Sequence, residues 1–454
     1  MFMNFWYPVV RAVDLGATPQ KVRILAHDFV VFRDAQGQPA VLSDTCIHRG
    51  ASLSAGKCKE DGSVQCPYHG WRFNRDGVCT RIPSIGSKTK PPPRARVDAY
   101  PVQEKYGIVF AFLGDLPEEQ RPPIMPVPEH GTDEWRSTLV TFDVNYHYER
   151  SIENGLDPAH NEYVHTTHGY QGEREDTYLM MELRPEQNNP WGYGFMATFD
   201  APPLKNAIMR RFRPKGGKME AGSGTYGPNH MWTYINFTAK TSMHQYMFEA
   251  PIDENRTRVF LLNQRNVAFF KPVYTNLFRA VLRRVFKSWL AKSDPATPAP
   301  RTPATTGFLD QTVKPWLDTW LDKKSHVGPI GRAVKPRLNL WLDKKINERN
   351  MFIASQDIKV MNEVKPALTP PSRAKELMMP ADKVILQYRD KLDEFEARGW
   401  RIDMAALRAA KDRGDVIYAI PCPARRETNA WVLDEVPRVA PSPAAPTLQA
   451  VGGG

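Results

Sequence analysis

Two short segments, Cys46-Ile-His48 and Cys66-Pro-Tyr-His69, each join one thiol to one imidazole, and each closes on a glycine, Gly50 or Gly70. Two Cys and two His in this pattern suit a [2Fe–2S] cluster in which thiolates hold one iron and imidazoles hold the other. Neutral imidazole in place of thiolate raises the reduction potential well above that of an all-Cys cluster, so such a centre takes electrons from a reductase or ferredoxin. A Cys2His2 zinc site uses the same ligand types. It leaves the glycines unexplained, whereas a bulky cluster requires a backbone that can fold tightly around it. Cys58 and Cys79 fall outside the two pairs and read as buried thiols or spectators.

The 454 residues, 41% hydrophobic and 11% aromatic, suffice for two or three domains with a large core. Five cysteines, with two assigned to iron, do not form a disulfide framework and point to a reducing compartment. The start MFMNFWYPVVRAVDL lacks a basic region followed by a long apolar stretch, and no segment is apolar enough to span a bilayer, so the expectation is a cytoplasmic protein without membrane contact. The net charge of +11 is spread among 50 acidic residues, and no nucleic-acid-binding motif accompanies it. A positive surface that docks an acidic electron-transfer protein fits that balance, as does a basic surface with no binding role.

From about residue 20 to 115, short β-rich runs alternate with Gly, Asp and Pro turns, which predicts a small all-β domain over 1–121 that carries both Cys/His loops. A Pro-rich connector, 122–131, leads into a second domain over 132–438. There the sequence predicts a strand from Ser137, a helix from near Arg150, strands through 175–270, and helices near 273–292, 346–363 and 380–397. A Pro-rich insertion occupies 293–345; within it WLDKK occurs at 320–324 and again at 341–345, too few copies for a solenoid. The Ala/Pro/Gly tail over 439–454 reads as disordered. The helix near 273–292 sets a broad apolar stripe against Arg279, Arg283, Arg284 and Lys287. An ordinary packed helix, a lid over a substrate entrance and a membrane-surface helix all remain open for it.

A second metal site is legible in Asp157-Pro-Ala-His160 and His165. Residues i and i+5 lie about 140° apart on an ideal helix, so both imidazoles meet one metal only if the helix ends between them. Stored electrons need an acceptor, and a two-His, one-carboxylate Fe(II) site with open positions is the usual one that activates O2. Asp157, three residues before His160, is placed to orient that imidazole. For the third ligand, Asp357 interrupts an apolar stripe with Ile353, Val360 and Met361, where a carboxylate is costly unless paired or metal-bound. Glu348 and Glu363 are rival candidates among polar neighbours.

With these segments assembled, the chain resembles the oxygenase component, or α subunit, of Rieske non-haem iron oxygenases. The resemblance runs through FWYPV, DTCIHRGASLSAGK, CPYHGWRFNRDG, the DxxHxxxxH segment and the Gln-Asp pair at 356–357, and is most similar to the pheophorbide a oxygenase and vanillate demethylase-like branch. It implies an α+β architecture: an N-terminal all-β Rieske domain, then a helix-grip catalytic domain whose curved antiparallel sheet wraps a long helix. It implies Cys46, His48, Cys66 and His69 as cluster ligands and His160, His165 and Asp357 as mononuclear iron ligands. It also implies that Asp157 links a cluster histidine of one subunit to an iron-site histidine of the next, in a head-to-tail ring, commonly a trimer. Ile47 stands where the family often has Pro. Electrons from NAD(P)H would arrive through a ferredoxin or a separate reductase, since no dinucleotide-binding fingerprint occurs in the chain. The expected reaction is hydroxylation or oxidative demethylation of a hydrophobic, aromatic substrate with O2. The rivals are cis-dihydroxylation of an aromatic ring, and a Rieske electron-transfer protein without oxygen chemistry, which needs neither His160 and His165 nor so large a second domain.

Overall fold

A computed structural model describes residues 1–166, 171–173, 183, 185–200, 218–238, 241–266, 329–370, 372–414, 416–424 and 433–442. The helix expected near 273–292, most of the Pro-rich insertion and the first WLDKK copy lie outside these residues.

The first domain holds eleven strands in three small antiparallel sheets. Strands β1 (Phe5–Arg11), β2 (Gln20–Ile24), β3 (His27–Arg33), β4 (Pro39–Ser43), β5 (Lys57–Cys58), β6 (Val64–Gln65), β7 (Arg72–Phe73), β8 (Cys79–Arg81), β9 (Ala99–Tyr100), β10 (Val102–Lys105) and β11 (Ile108–Leu113) pair as β1-β11-β10, β2-β3-β4-β9 and β5-β6-β7-β8. β11 reads IVFAFL with every residue buried, because both of its faces are covered. Val109, Ala111 and Leu113 join the core beneath the N-terminus, while Ile108, Phe110 and Phe112 turn toward the second domain. A strand buried on both faces needs no polar alternation.

The second domain is one seven-stranded antiparallel sheet with helices on its inner face. Its strands are β12 (Trp135–Val144), β13 (Glu186–Asn189), β14 (Gly192–Asp200), β15 (Lys218–Thr225), β16 (His230–Thr238), β17 (Thr241–Pro251) and β18 (Thr257–Asn266), in the order β12-β18-β17-β16-β15-β14-β13. Its helices are α1 (Tyr148–Leu156), α2 (His160–Val164), α3 (Pro329–Met361), α4 (Lys383–Ala397) and α5 (Met404–Arg413). α3 begins well before the helix expected near 346, so the second WLDKK copy is helical rather than part of an extended insertion. Trp232, Tyr246, Phe248, Phe260 and Leu262 cover the outer face and pack with Phe110 and Phe112 of the first domain. On the inner face α1 sits close to the sheet: a Cβ on Gly155 would lie 2.2 Å from Met231 Cε. α1 is tied to α4 by an ion pair between Glu153 and Arg389 at 2.7 Å, both buried.

The chain end closes on the chain start. Met3 N donates to Trp400 O and Ile402 N to Met1 O, both at 2.9 Å, and Tyr100 of the first domain donates to Ile420 O at 2.6 Å. The expected division at 121 therefore omits a C-terminal segment that packs on the first domain. Order also continues past 438: Val439 N donates to Arg401 O and Ser442 N to Ala397 O, so the first residues of the expected tail are held by main-chain hydrogen bonds.

Candidate metal centres

The two Cys/His loops repeat one backbone pattern. In the first, Cys46 N donates to Ala51 O and Gly50 N to Cys46 O; in the second, Cys66 N donates to Trp71 O and Gly70 N to Cys66 O. Gly50 and Gly70 take φ of 72° and 70°, the left-handed region that lets each loop return. The loops bring like to like. Cys46 and Cys66 are buried and share a thiol–thiol hydrogen bond, which favours thiolate on Cys66 and holds the proton on Cys46. The rings of His48 and His69 lie 4.5 Å apart at the domain surface, and Trp71 stacks on His48 at 4.5 Å. His48 Nδ1 is buried without a hydrogen-bond partner, the state expected of a nitrogen reserved for a metal. Among the described residues, three donor atoms gather within 4.8 Å only at the other site, so these loops spread their donors more widely than one tetrahedral zinc ion needs. The residues fit a two-iron cluster. Cys58 and Cys79 stay outside the loops, their thiols pushed up by burial.

The second site lies where α1, α2 and α3 meet. α2 ends at Val164, and His165 follows in extended conformation, φ −94° and ψ 108°, so the chain leaves the helix between the two imidazoles as the i, i+5 spacing demands. His160 Nε2 and His165 Nε2 come within 3.2 Å, and Asp357 Oδ1 lies 3.5 Å and 3.4 Å from them. Each ring's other nitrogen is engaged: His160 Nδ1 donates to Asp157 O at 2.5 Å and His165 Nδ1 to Gln356 Oε1 at 3.3 Å. Both Nε2 lone pairs therefore face one point, an arrangement that repels unless a cation sits there. Three donors each about 2.1 Å from one ion stand roughly 3.0–3.4 Å apart, close to what is seen. Burial holds His165 below the ordinary imidazole range, which keeps it neutral as a ligand must be. Asn154 of α1 donates to Asp357 Oδ1 at 3.3 Å and fixes the carboxylate.

Three details differ from the sequence reading. Asp157 caps the end of α1 rather than sharing a helix face with His160, and it holds that imidazole through its main-chain carbonyl. Its carboxylate accepts from Ala159 N at 2.7 Å and stays 4.0 Å from His160 Nδ1. Val360 is 46% exposed, so the apolar stripe beside Asp357 is interrupted in the last turn of α3. Gln356 and Asn154 received no role from sequence; Gln356 had its place beside Asp357 as a signal, while Asn154 meets Asp357 only through the packing of α1 on α3. Glu348 is exposed and paired with Lys345, and Glu363 lies beyond the end of α3, so neither rival carboxylate joins the site.

Residues 5–101 match the Rieske [2Fe-2S] domain family, and residues 144–288 match the vanillate O-demethylase oxygenase C-terminal domain. The chain thus joins a domain of the Rieske [2Fe-2S] family to one of the vanillate O-demethylase oxygenase C-terminal family. The chain is similar to the phenoxybenzoate dioxygenase α subunit of Ectopseudomonas oleovorans, with 36% identity over 36% of this chain and 43% of the relative. It is also similar to the chloroplastic pheophorbide a oxygenase of Oryza sativa subsp. japonica, with 32% identity over 44% of this chain and 41% of the relative. The chain thus spans less than half the length of these curated relatives. In fold the chain is similar to NdmA of Pseudomonas putida CBB5 solved with caffeine, at a TM-score of 0.59 and 18% identity over 87% of this chain and 91% of that one.

Proposed function

We propose that the chain is the terminal oxygenase of a multicomponent system, taking electrons from a ferredoxin or NAD(P)H-dependent reductase and using O2 to hydroxylate or oxidatively demethylate a hydrophobic, aromatic substrate. The observation that carries this reading is the convergence of His160 Nε2, His165 Nε2 and Asp357 Oδ1 in a chain that also bears the two Cys/His loops. When bound, the [2Fe–2S] cluster would supply stored electrons and a single Fe(II) would supply an open position for O2. A carrier of electrons alone has no use for the second site.

The residues divide the work. Cys46 and Cys66 would hold the inner iron of the cluster and His48 and His69 the outer one, with His69 on the exposed side where an electron donor can approach. His160, His165 and Asp357 would hold the mononuclear iron on one face, leaving the opposite face open. The Asp157 carbonyl and Gln356 keep both Nδ1 protons in place, so each imidazole presents an unprotonated Nε2. The Asp157 carboxylate, whose side chain is 29% exposed, is not used for this and would face a cluster histidine of the next subunit in a head-to-tail trimer. Burial raises its proton affinity, which suits a group that accompanies electron passage with a proton.

The test supplies a reductase and ferredoxin, reduces the protein, and follows isotope-labelled O2 into products across aromatic, methoxylated and polycyclic compounds. Label in a hydroxylated or demethylated product supports the reading. One label on each of two adjacent ring carbons identifies the dihydroxylating alternative. Reduction and reoxidation without label in any product leaves an electron carrier.

A further inference from the structure

Residues directly opposite on neighbouring strands share a face of the sheet. In the catalytic sheet the pairings Ser223 with Thr233, Thr233 with Gln245, Gln245 with Asn263 and Asn263 with Thr138 set five hydroxyl or amide side chains in one row across β15, β16, β17, β18 and β12. The row faces α3, since Gln245 Nε2 reaches Asn350 Oδ1 at 3.5 Å. On the same stripe of α3, Asp343 receives Arg136 and Arg265 from the sheet, and Asp357 meets the two imidazoles. Asp343, Asn350 and Asp357 are seven residues apart, near two turns, so each step is about 10.5 Å along one helix face.

The row satisfies itself only at its far end, where the Ser223 and Thr233 hydroxyls hydrogen-bond at 3.0 Å. Asn263 is 2% exposed, yet neither its Oδ1 nor its Nδ2 has a hydrogen-bond partner. Thr138 Oγ1 and Asn350 Nδ2 are buried and unpartnered as well. Buried polar groups left unpaired are costly, and several between one helix and one sheet call for a ligand that completes them. From Arg265 to Asn263 the sheet runs as α3 runs from Asp343 to Asn350. The next row in that direction, toward the Asp357 end, pairs Val140 with Leu261, Leu261 with Met247 and Met247 with Met231. The inner face is therefore apolar toward the metal site and amide-lined one step beyond it.

We propose that Asn263 and Asn350, with Thr138 and Gln245 beside them, bind a neutral group of the substrate that offers a hydrogen-bond acceptor and donor side by side, a lactam or carboxamide joined to an apolar ring system. This rests on the oxygenase reading and specifies its substrate. Asn263 has both a donor and an acceptor to fill, whichever way its amide is turned. A carboxylate only accepts and leaves the amide oxygen facing an anion. Arg136 and Arg265, the cations on the adjoining row of the same face, already hold Asp343.

Isothermal titration of the oxidised, iron-loaded protein without reductase measures binding of four probes of similar size: 2-quinolone, N-methyl-2-quinolone, naphthalene and 2-naphthoate. The expected result is 2-quinolone binding about tenfold or more tighter than the other three, because a site with paired polar groups rejects analogues that leave them empty. Asn263→Leu erases that preference and binds naphthalene at least as well as the parent protein does. Asn350→Leu narrows it and serves if Asn263→Leu loses its far-ultraviolet circular dichroism. Equal binding of naphthalene and 2-quinolone, tighter binding of 2-naphthoate, no measurable binding of 2-quinolone, or an unchanged preference in both variants overturns the proposal. The iron content of the parent protein tests the oxygenase reading separately, so either idea can fail alone.

Discussion

Gln356 accepts a hydrogen bond from His165 Nδ1 at 3.3 Å while its neighbour Asp357 turns Oδ1 to Nε2 of the same ring at 3.4 Å. Two consecutive residues of α3 thus grip opposite sides of one imidazole. Gln356 is itself fixed by donating to Thr166 at 2.7 Å. Gln356→Leu removes the acceptor, lets the ring rotate or change tautomer, and lowers affinity of the mononuclear metal by roughly 10–100-fold. Titration of the apo site with Fe(II) under anaerobic conditions checks this, with the cluster spectrum unchanged as the internal control.

Asp157→Asn is expected to behave differently. His160 is held by the main-chain carbonyl of residue 157, which the substitution keeps. Both metals stay bound at parental content, and electron passage from cluster to mononuclear iron slows in a single turnover because the amide cannot carry the accompanying proton. A fall in mononuclear iron would place the carboxylate in the service of His160 instead.

At the cluster, His48→Cys or His69→Cys replaces a neutral ligand by a charged one. The reduction potential should fall by a few hundred millivolts, on the order of the gap between mixed-ligand and all-Cys clusters. Redox titration followed by electron paramagnetic resonance reads the shift, and an unchanged potential would remove that histidine from the ligand set.

Glu249 supplies a prediction about pH. It is fully buried on β17, with Ser151 donating to Oε1 at 2.7 Å, and burial pushes its carboxyl up to about 8. Between the unfolded carboxyl value of roughly 4.3 and the folded one, the native state binds more protons than the unfolded state, so stability falls as pH rises through that window. The loss amounts to a few kcal/mol by pH 9. Glu249→Gln keeps the shape without the charge and should flatten this decline, seen as a smaller drop in denaturation midpoint between pH 6 and pH 9.

Much of the site was legible because its chemistry is written in local segments. The Cys46/His48 and Cys66/His69 loops carry their turn glycines with them, and the i, i+5 spacing of His160 and His165 already required the helix to stop, as it does at Val164. Asp357 could be chosen over Glu348 and Glu363 because a carboxylate among apolar neighbours needs a partner. What was not legible depends on long-range placement. The Asp157 carbonyl, rather than its carboxylate, meets His160 because α1 ends at Leu156 before α2 begins at His160. The polar row through Gln245 and Asn263 exists only once strand register is known, as do the ion pairs of Asp343 with Arg136 and Arg265 of β12 and β18.

Metal and acid-labile sulfide analysis of the purified protein and of Asp357→Ala reads out whether one chain carries two separate iron sites. Two separate sites give about three irons and about two sulfides per chain in the parent protein, and about two of each in Asp357→Ala with the cluster's resonance signal intact. Zinc in place of iron, or an iron content that Asp357→Ala leaves unchanged, would contradict two separate iron sites.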